Sequence, residues 1–174
     1  MKLIYSVHKY DVFMFTRLIN AGIYQHLALF SRYISRTGDG HLYALLIGFL
    51  YLREGVESVF LQTLLFAFLI ERPVYFILKN GFKRNRPQAA LKNFHSLVTP
   101  SDQFSFPSGH TSAAFMVATI TGFFMPLLML PLLLWAALVG FSRVVLGVHF
   151  PTDTLVGMVL GVSVSFFSLN QLMS

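Results

Sequence analysis

Lys79 and Arg86, the run Pro107-Ser108-Gly109-His110, and Arg143 with His149 and Asp153 all stand at the ends of apolar segments, where a membrane-spanning chain rarely carries such groups without a functional reason. The arginine forks match phosphate oxygens two at a time, and Lys79 adds a third positive charge, so these three residues suit a phosphoryl group. Ser108 and Gly109 fall where a helix begins. Backbone N–H groups there lack intrahelical partners and point outward with the positive end of the dipole, and a glycine lets an oxyanion approach closely. Asp153, in the first turn of a helix starting at Pro151, is expected to reach one imidazole nitrogen of His149 and fix the tautomer that leaves the other nitrogen free to attack. His149 is thus the expected nucleophile, forming a phosphohistidine. His110 is the expected acid for the departing oxygen and the later base for water. Positive groups around the equatorial oxygens stabilise the transition state, so the scheme requires no metal and no cofactor.

The elements that must position these groups follow from composition. The 174 residues are 55% hydrophobic and only 11% charged, which sets the chain apart from soluble domains and marks an integral membrane protein. Nineteen phenylalanines and seven tyrosines suit lipid contact and interfacial belts. The formal charge of +6 points to an anionic substrate or anionic headgroups, because the basic residues are interleaved with apolar segments and carry no nucleic-acid signature. The expected partners are therefore a lipid phosphate and the bilayer, with no nucleic acid. Absence of cysteine excludes disulfides, thiolate catalysis and cysteine-ligated metal. No apolar core followed by a small-residue cleavage site opens the sequence, and the N-terminus is expected to be retained.

Residues 3–35 space Lys9, Asp11, Arg17, Asn20, Gln25, His26 and Arg32 too closely for a bilayer span, and they read as one or two amphipathic helices in the interface, with a sixth span as the alternative. The turn Thr37-Gly38-Asp39-Gly40 follows, with Asp39 placed to cap the next helix or, because the turn opens on the catalytic side, to shape the substrate entrance. Spans are expected over His41 to Leu52, Val56 to Leu78, Pro107 to Met125, onward to Val148 after an apolar hairpin around Pro126 and Pro131, and Pro151 to Leu172. Glu71, Arg72 and Pro73 interrupt the second, and Lys79 to Phe106 forms the long loop. The fold class is all-α: an integral membrane helical bundle of about five transmembrane helices, six possible, plus N-terminal amphipathic interfacial helices. A single domain covers 1–174, with 1–36 the interfacial segment and 37–174 the catalytic core. Consecutive spans alternate in direction, so all three chemically active stretches emerge on one side and form one site.

Lys79, six residues, then Arg86-Pro87; Pro107-Ser108-Gly109-His110; and Ser142-Arg143, five residues, His149, three residues, Asp153 resemble the three signature motifs of the type 2 phosphatidic acid phosphatase superfamily. The resemblance implies that Lys79, Arg86, Ser108, Gly109 and Arg143 hold phosphate, that His110 is the acid, and that His149 with Asp153 is the nucleophile pair. It also implies metal-independent hydrolysis of a lipid phosphate or diphosphate, of the undecaprenyl diphosphate or phosphatidylglycerol phosphate type. A lipid-phosphate binding or translocating protein, and a phosphatase of a soluble sugar phosphate, are the alternatives.

Other polar residues have simpler readings. Lys83, Arg84 and Lys92 read as headgroup anchors, and His8, His26, His41 and His95 as interfacial or satisfied histidines. Glu71 and Arg72 read as a structural pair, and Gly157 with Gly161 as a close-packing face within the bundle. Orientation draws two opposed signals. The positive-inside rule puts the basic catalytic side in the cytoplasm, whereas the resemblance implies a bacterial inner (plasma) membrane protein whose site faces the periplasm or exterior; the second is the expectation carried forward.

Overall fold

The computed structural model describes residues 2–92, 94–100 and 102–173, and every regular element among them is helical. Two N-terminal helices, α1 (Lys2–Ile19) and α2 (Tyr24–Thr37), precede α3 (His41–Glu54) and α4 (Val59–Phe82). A short α5 (Pro87–Ala90) lies in the long loop, followed by α6 (Gly109–Phe124), a 3-10 turn at Pro126–Leu128, α7 (Met129–Val145) and α8 (Pro151–Met173).

Among the described residues, three segments are long and apolar enough to cross a bilayer, Val59–Ala90, Pro126–Val145 and Pro151–Met173. On α4, α7 and α8, Leu69, Phe76, Ile77, Leu130, Leu134, Leu155, Val159 and Phe166 lie exposed on the outer surface. Such a continuous apolar exterior suits lipid and not water. The other two expected spans, α3 and α6, have 14 and 16 residues.

The bundle is organised around α6, which packs most extensively on α8 and α7 and also touches α4. Its sequence is rich in Gly, Ala, Ser and Thr, and from Thr111 to Gly122 every residue is buried. Small residues let neighbouring backbones come close. On α8, a Cβ at Gly157 would fall 2.5 Å from the Ser108 carbonyl oxygen, and one at Gly161 would collide with the Ser112 carbonyl. That is the close-packing role expected of the glycine pair. Tyr43 and Leu50 of α3 join Phe60, Leu61 and Leu64 of α4 against Met116 and Ile120 in one apolar cluster. A second joins Ala114, Phe115 and Ala118 to Ala136 and Val139 of α7.

The amphipathic pair docks onto the bundle. Tyr24 Oη donates to the Val145 carbonyl at 3.0 Å and Trp135 Nε1 donates to Thr37 Oγ1 at 2.8 Å, so α2 is tied to α7 at both ends. On α1, Phe15 is fully buried beside Val144 and Phe150.

Several expectations change in detail. α4 runs unbroken through Pro73 to Phe82 and stops at Lys83, whose φ of 46° is left-handed. Pro73 therefore does not interrupt it; neighbouring helices can re-satisfy the backbone group that a membrane proline frees. Lys79 consequently lies on the last turn of α4 and not in the loop. Pro131 is the third residue of α7, where a backbone N–H would have no intrahelical acceptor, so the chain turns at Pro126–Leu128 alone. Asp39 does not cap α3: the N-cap is Gly40 with no side-chain bond.

Candidate active site

The end of α4, the start of α6 and the α7–α8 connection converge. Arg86 Nη1 donates to the Val148 carbonyl at 2.6 Å, and Ser108 N donates to the Asp153 carbonyl at 2.9 Å, tying each stretch to the third. Alternating direction brings the ends together; these bonds fix their register.

His149 is 2% exposed. Its Nδ1 lies 2.6 Å from the Ser105 carbonyl oxygen, which can only accept, so the proton sits on Nδ1 and Nε2 carries the free lone pair. Burial pushes this imidazole well below its ordinary range, and Arg143, Arg86 and Lys79 push the same way with their charge. A neutral ring with an available nitrogen inside a positive pocket is what attack on phosphorus needs.

Asp153 is placed differently from expectation. Its Oδ2 accepts from the Phe150 backbone N–H at 2.7 Å, capping α8 from within its first turn, and lies 3.9 Å from His149 Nδ1, beyond hydrogen-bond reach. Oδ1 accepts from Arg84 Nη1 at 2.7 Å. The acid thus shapes the loop that carries His149 and does not touch the ring. Arg84, read from the sequence as a headgroup anchor, instead joins this carboxylate to buried Asp11 on α1 at 2.6 Å. Asp11 also accepts from the Thr152 N–H at 3.0 Å.

The clamp cations are organised by Asp102, which sequence reasoning passed over. Its Oδ2 accepts from Lys79 Nζ at 2.7 Å and from Tyr75 Oη at 2.8 Å, and its Oδ1 accepts from Arg86 Nη2. Burial alone would raise the Asp102 carboxyl, yet the bonds and charge supplied by Lys79, with Tyr75 and Arg86, hold it below its ordinary range. A signal was available: Asp102 is the one acid between Lys79 and Phe106, among five basic residues. The Ser105 carbonyl left none, being backbone.

Ser108 is fully buried at the N-cap of α6 and makes no cap bond; Thr111 Oγ1 donates to its Oγ at 2.9 Å, leaving its hydroxyl proton unused. Gly109 has a packing reason besides the expected one, since a Cβ there would meet the Tyr75 ring at 2.8 Å. His110 Nε2 lies 2.8 Å from Asp39 Oδ1, so the residue expected as a helix cap instead orients the expected acid. Arg143 Nη1 donates to Ser35 Oγ of α2 at 2.7 Å. Glu71 and Arg72 do pair, the glutamate fully buried and the arginine half exposed.

The architecture is similar to that of solved structures. It superposes on Aquifex aeolicus LpxE with a TM-score of 0.79 and 32% identity, covering 90% of this chain and 93% of that one. For the transmembrane PAP2 type phosphatidylglycerolphosphate phosphatase of Bacillus subtilis the TM-score is 0.79 at 26% identity, over 95% and 85% of the two chains. In sequence, the chain is 38% identical over 115 residues to phosphatidylglycerophosphatase B of Bacillus subtilis (59% of this chain, 53% of the relative). It is 34% identical over 113 residues to the undecaprenyl-diphosphatase of Sulfolobus acidocaldarius (62% and 52%). It is 36% identical over 92 residues to the decaprenylphosphoryl-5-phosphoribose phosphatase of Mycobacterium tuberculosis (51% and 48%). The matched stretch spans about half the length of these relatives. Residues 60–173 match the PAP2 superfamily profile, a stretch that holds all three polar motifs and the helices converging on His149, and the chain belongs to that superfamily.

Proposed function

We propose that the protein is a membrane lipid phosphatase that hydrolyses a lipid phosphate or diphosphate through a phosphohistidine on His149. The observation that carries the reading is the tautomer of His149: the Ser105 carbonyl takes the Nδ1 proton, and Nε2 is left neutral and unshared in a pocket with Lys79, Arg86 and Arg143. Nε2 attacks phosphorus, the bond from phosphorus to the leaving oxygen breaks, and the proton on His110 passes to that oxygen. Water then attacks the phosphohistidine, His110 takes a water proton, the P–N bond breaks, and inorganic phosphate departs with His149 restored. The basic groups and the Ser108 hydroxyl neutralise the oxygens throughout.

Undecaprenyl diphosphate and phosphatidylglycerol phosphate are the leading substrates, on the strength of relatives with those specificities in their names. The site is assigned to the periplasmic or external face of a bacterial plasma membrane, in keeping with the motif resemblance. A cysteine introduced in the 88–100 loop should label from outside intact spheroplasts, and labelling only after lysis would reverse the orientation.

Purified protein with EDTA should release phosphate from at least one of these lipids, and vanadate should inhibit. His149→Ala should lower kcat by several orders of magnitude. Acid-labile phosphate trapped on His149 identifies the nucleophile; undiminished turnover by the variant overturns the assignment.

A further inference from the structure

Resting on the phosphatase reading, we infer that the preferred leaving group itself carries a second phosphate, received by Arg32 and Arg36 of α2 together with Arg143. A cavity of about 430 Å³ opens beside the clamp, bordered by Arg32, Ser35, Arg36, Asp39, His110 and Arg143 and roofed by the loop at residues 97–99. His149 does not border it, so it is not the seat of the transferred phosphoryl group. His110 does. The space next to the residue that protonates the leaving oxygen is where the leaving group must lie.

Its walls are charged accordingly. Three arginines face one carboxylate, and that carboxylate, Asp39, is already engaged by His110. Arg143 bridges the two compartments: Nη1 is bonded to Ser35, while Nε is buried with no partner among the described residues. An unmet buried guanidinium donor is costly unless an acceptor comes to it. Arg32 and Arg36, one helical turn apart, share a face of α2, and Arg32 Nη2 donates to the Leu97 carbonyl at 3.2 Å, holding the roof. Because α2 is tied to α7 at both ends, these side chains start from a fixed wall, unlike headgroup anchors that trail along an interface.

The shared ligand chemistry is a lipid phosphate whose leaving group retains a phosphate. A polyprenyl diphosphate meets this with a directly bonded phosphate, and a phosphatidylglycerol phosphate with a phosphodiester across the glycerol. Phosphatidic acid does not.

The experiment compares tail-matched pairs with the full-length protein: a polyprenyl diphosphate against its monophosphate, and phosphatidylglycerol phosphate against phosphatidic acid. At least one pair should show kcat/KM favouring the second phosphate about tenfold, carried mainly by KM, and R32A/R36A should collapse that ratio by about the same factor. The pair that collapses names the spacing. R32K/R36K should restore part of the ratio, and Arg53→Ala, which removes a basic residue remote from the cavity, should leave it unchanged. A ratio unaffected by R32A/R36A overturns the inference while leaving the phosphatase reading intact. A readout without turnover separates the two claims: methylenediphosphonate should raise the unfolding temperature more than orthophosphate, and R32A/R36A should erase the difference. Should no lipid be hydrolysed, that difference alone still upholds the second-phosphate site; equal stabilisation by the two anions overturns it.

Discussion

At the scale of single residues, the site depends on groups that hold the chemically active ones. A buried neutral His149 resists protonation in the fold, whereas in the unfolded chain it takes a proton near pH 6.5. The fraction of His149 with a free Nε2 is therefore full above that pH and persists below it, so the acidic limb of a kcat/KM profile should lie under about pH 6.5, while the alkaline limb belongs to loss of the proton that His110 donates. The sign for stability is opposite to that of a stabilised imidazolium: the contribution is present above about pH 6.5 and lost as pH falls toward the lowered value. Asp102 makes a second test. Lys79 and Arg86 would repel each other without the carboxylate between them, and Asp102→Asn should cut kcat/KM by about ten- to a hundredfold. A variant that gained activity would show that the carboxylate competes with the substrate phosphate instead of aligning its ligands.

At the scale of elements, the joints between helices decide whether those residues meet. Arg84 shares its guanidinium between Asp11 of α1 and Asp153 of α8, both almost wholly buried. Arg84→Met would leave two buried carboxylates unpaired, and a loss of about 3–5 kcal/mol is expected, readable as thermal unfolding in detergent. Gly161→Leu should cost about 1–3 kcal/mol by forcing α8 away from the Ser112 carbonyl, whereas Gly48→Leu, at a position with nothing nearby, should be neutral. How much of this was legible differs by cause. Strong hydropathy contrast and proline at 151 placed α8 within a residue, and motif spacing found the groups that converge. Arg84 and Asp11 were misjudged because an exposed-looking charge in a one-dimensional pattern gives no hint of a partner 73 positions away. Asp39 found its other use because a turn acid has two natural uses, and only the arrival of the start of α6 beside the turn after α2 selects the second. Asp153 was right in location and wrong in contact, since capping Phe150 consumes the oxygen that would have met the ring.

At the scale of the whole molecule, the three segments able to cross a bilayer by length and hydropathy enclose a helix that is not among them. α6 has 16 residues, many of them Ser, Thr, Gly or Ala, and its sides face protein from Thr111 to Gly122. Sixteen residues fall short of the roughly twenty that cross hydrocarbon, so α6 depends on its neighbours for retention there. Biogenesis is therefore expected to be ordered: α7 and α8 enter the membrane before α6 is retained there, which postpones assembly of the Ser108–His110 corner until α8 has been made. Nascent chains arrested after Phe124 should leave α6 accessible to protease, and chains extended through Met173 should protect it. The motif that begins the central helix is thus completed by the ribosome well before it is completed in space, and the pocket cannot close around it until α8 has been made.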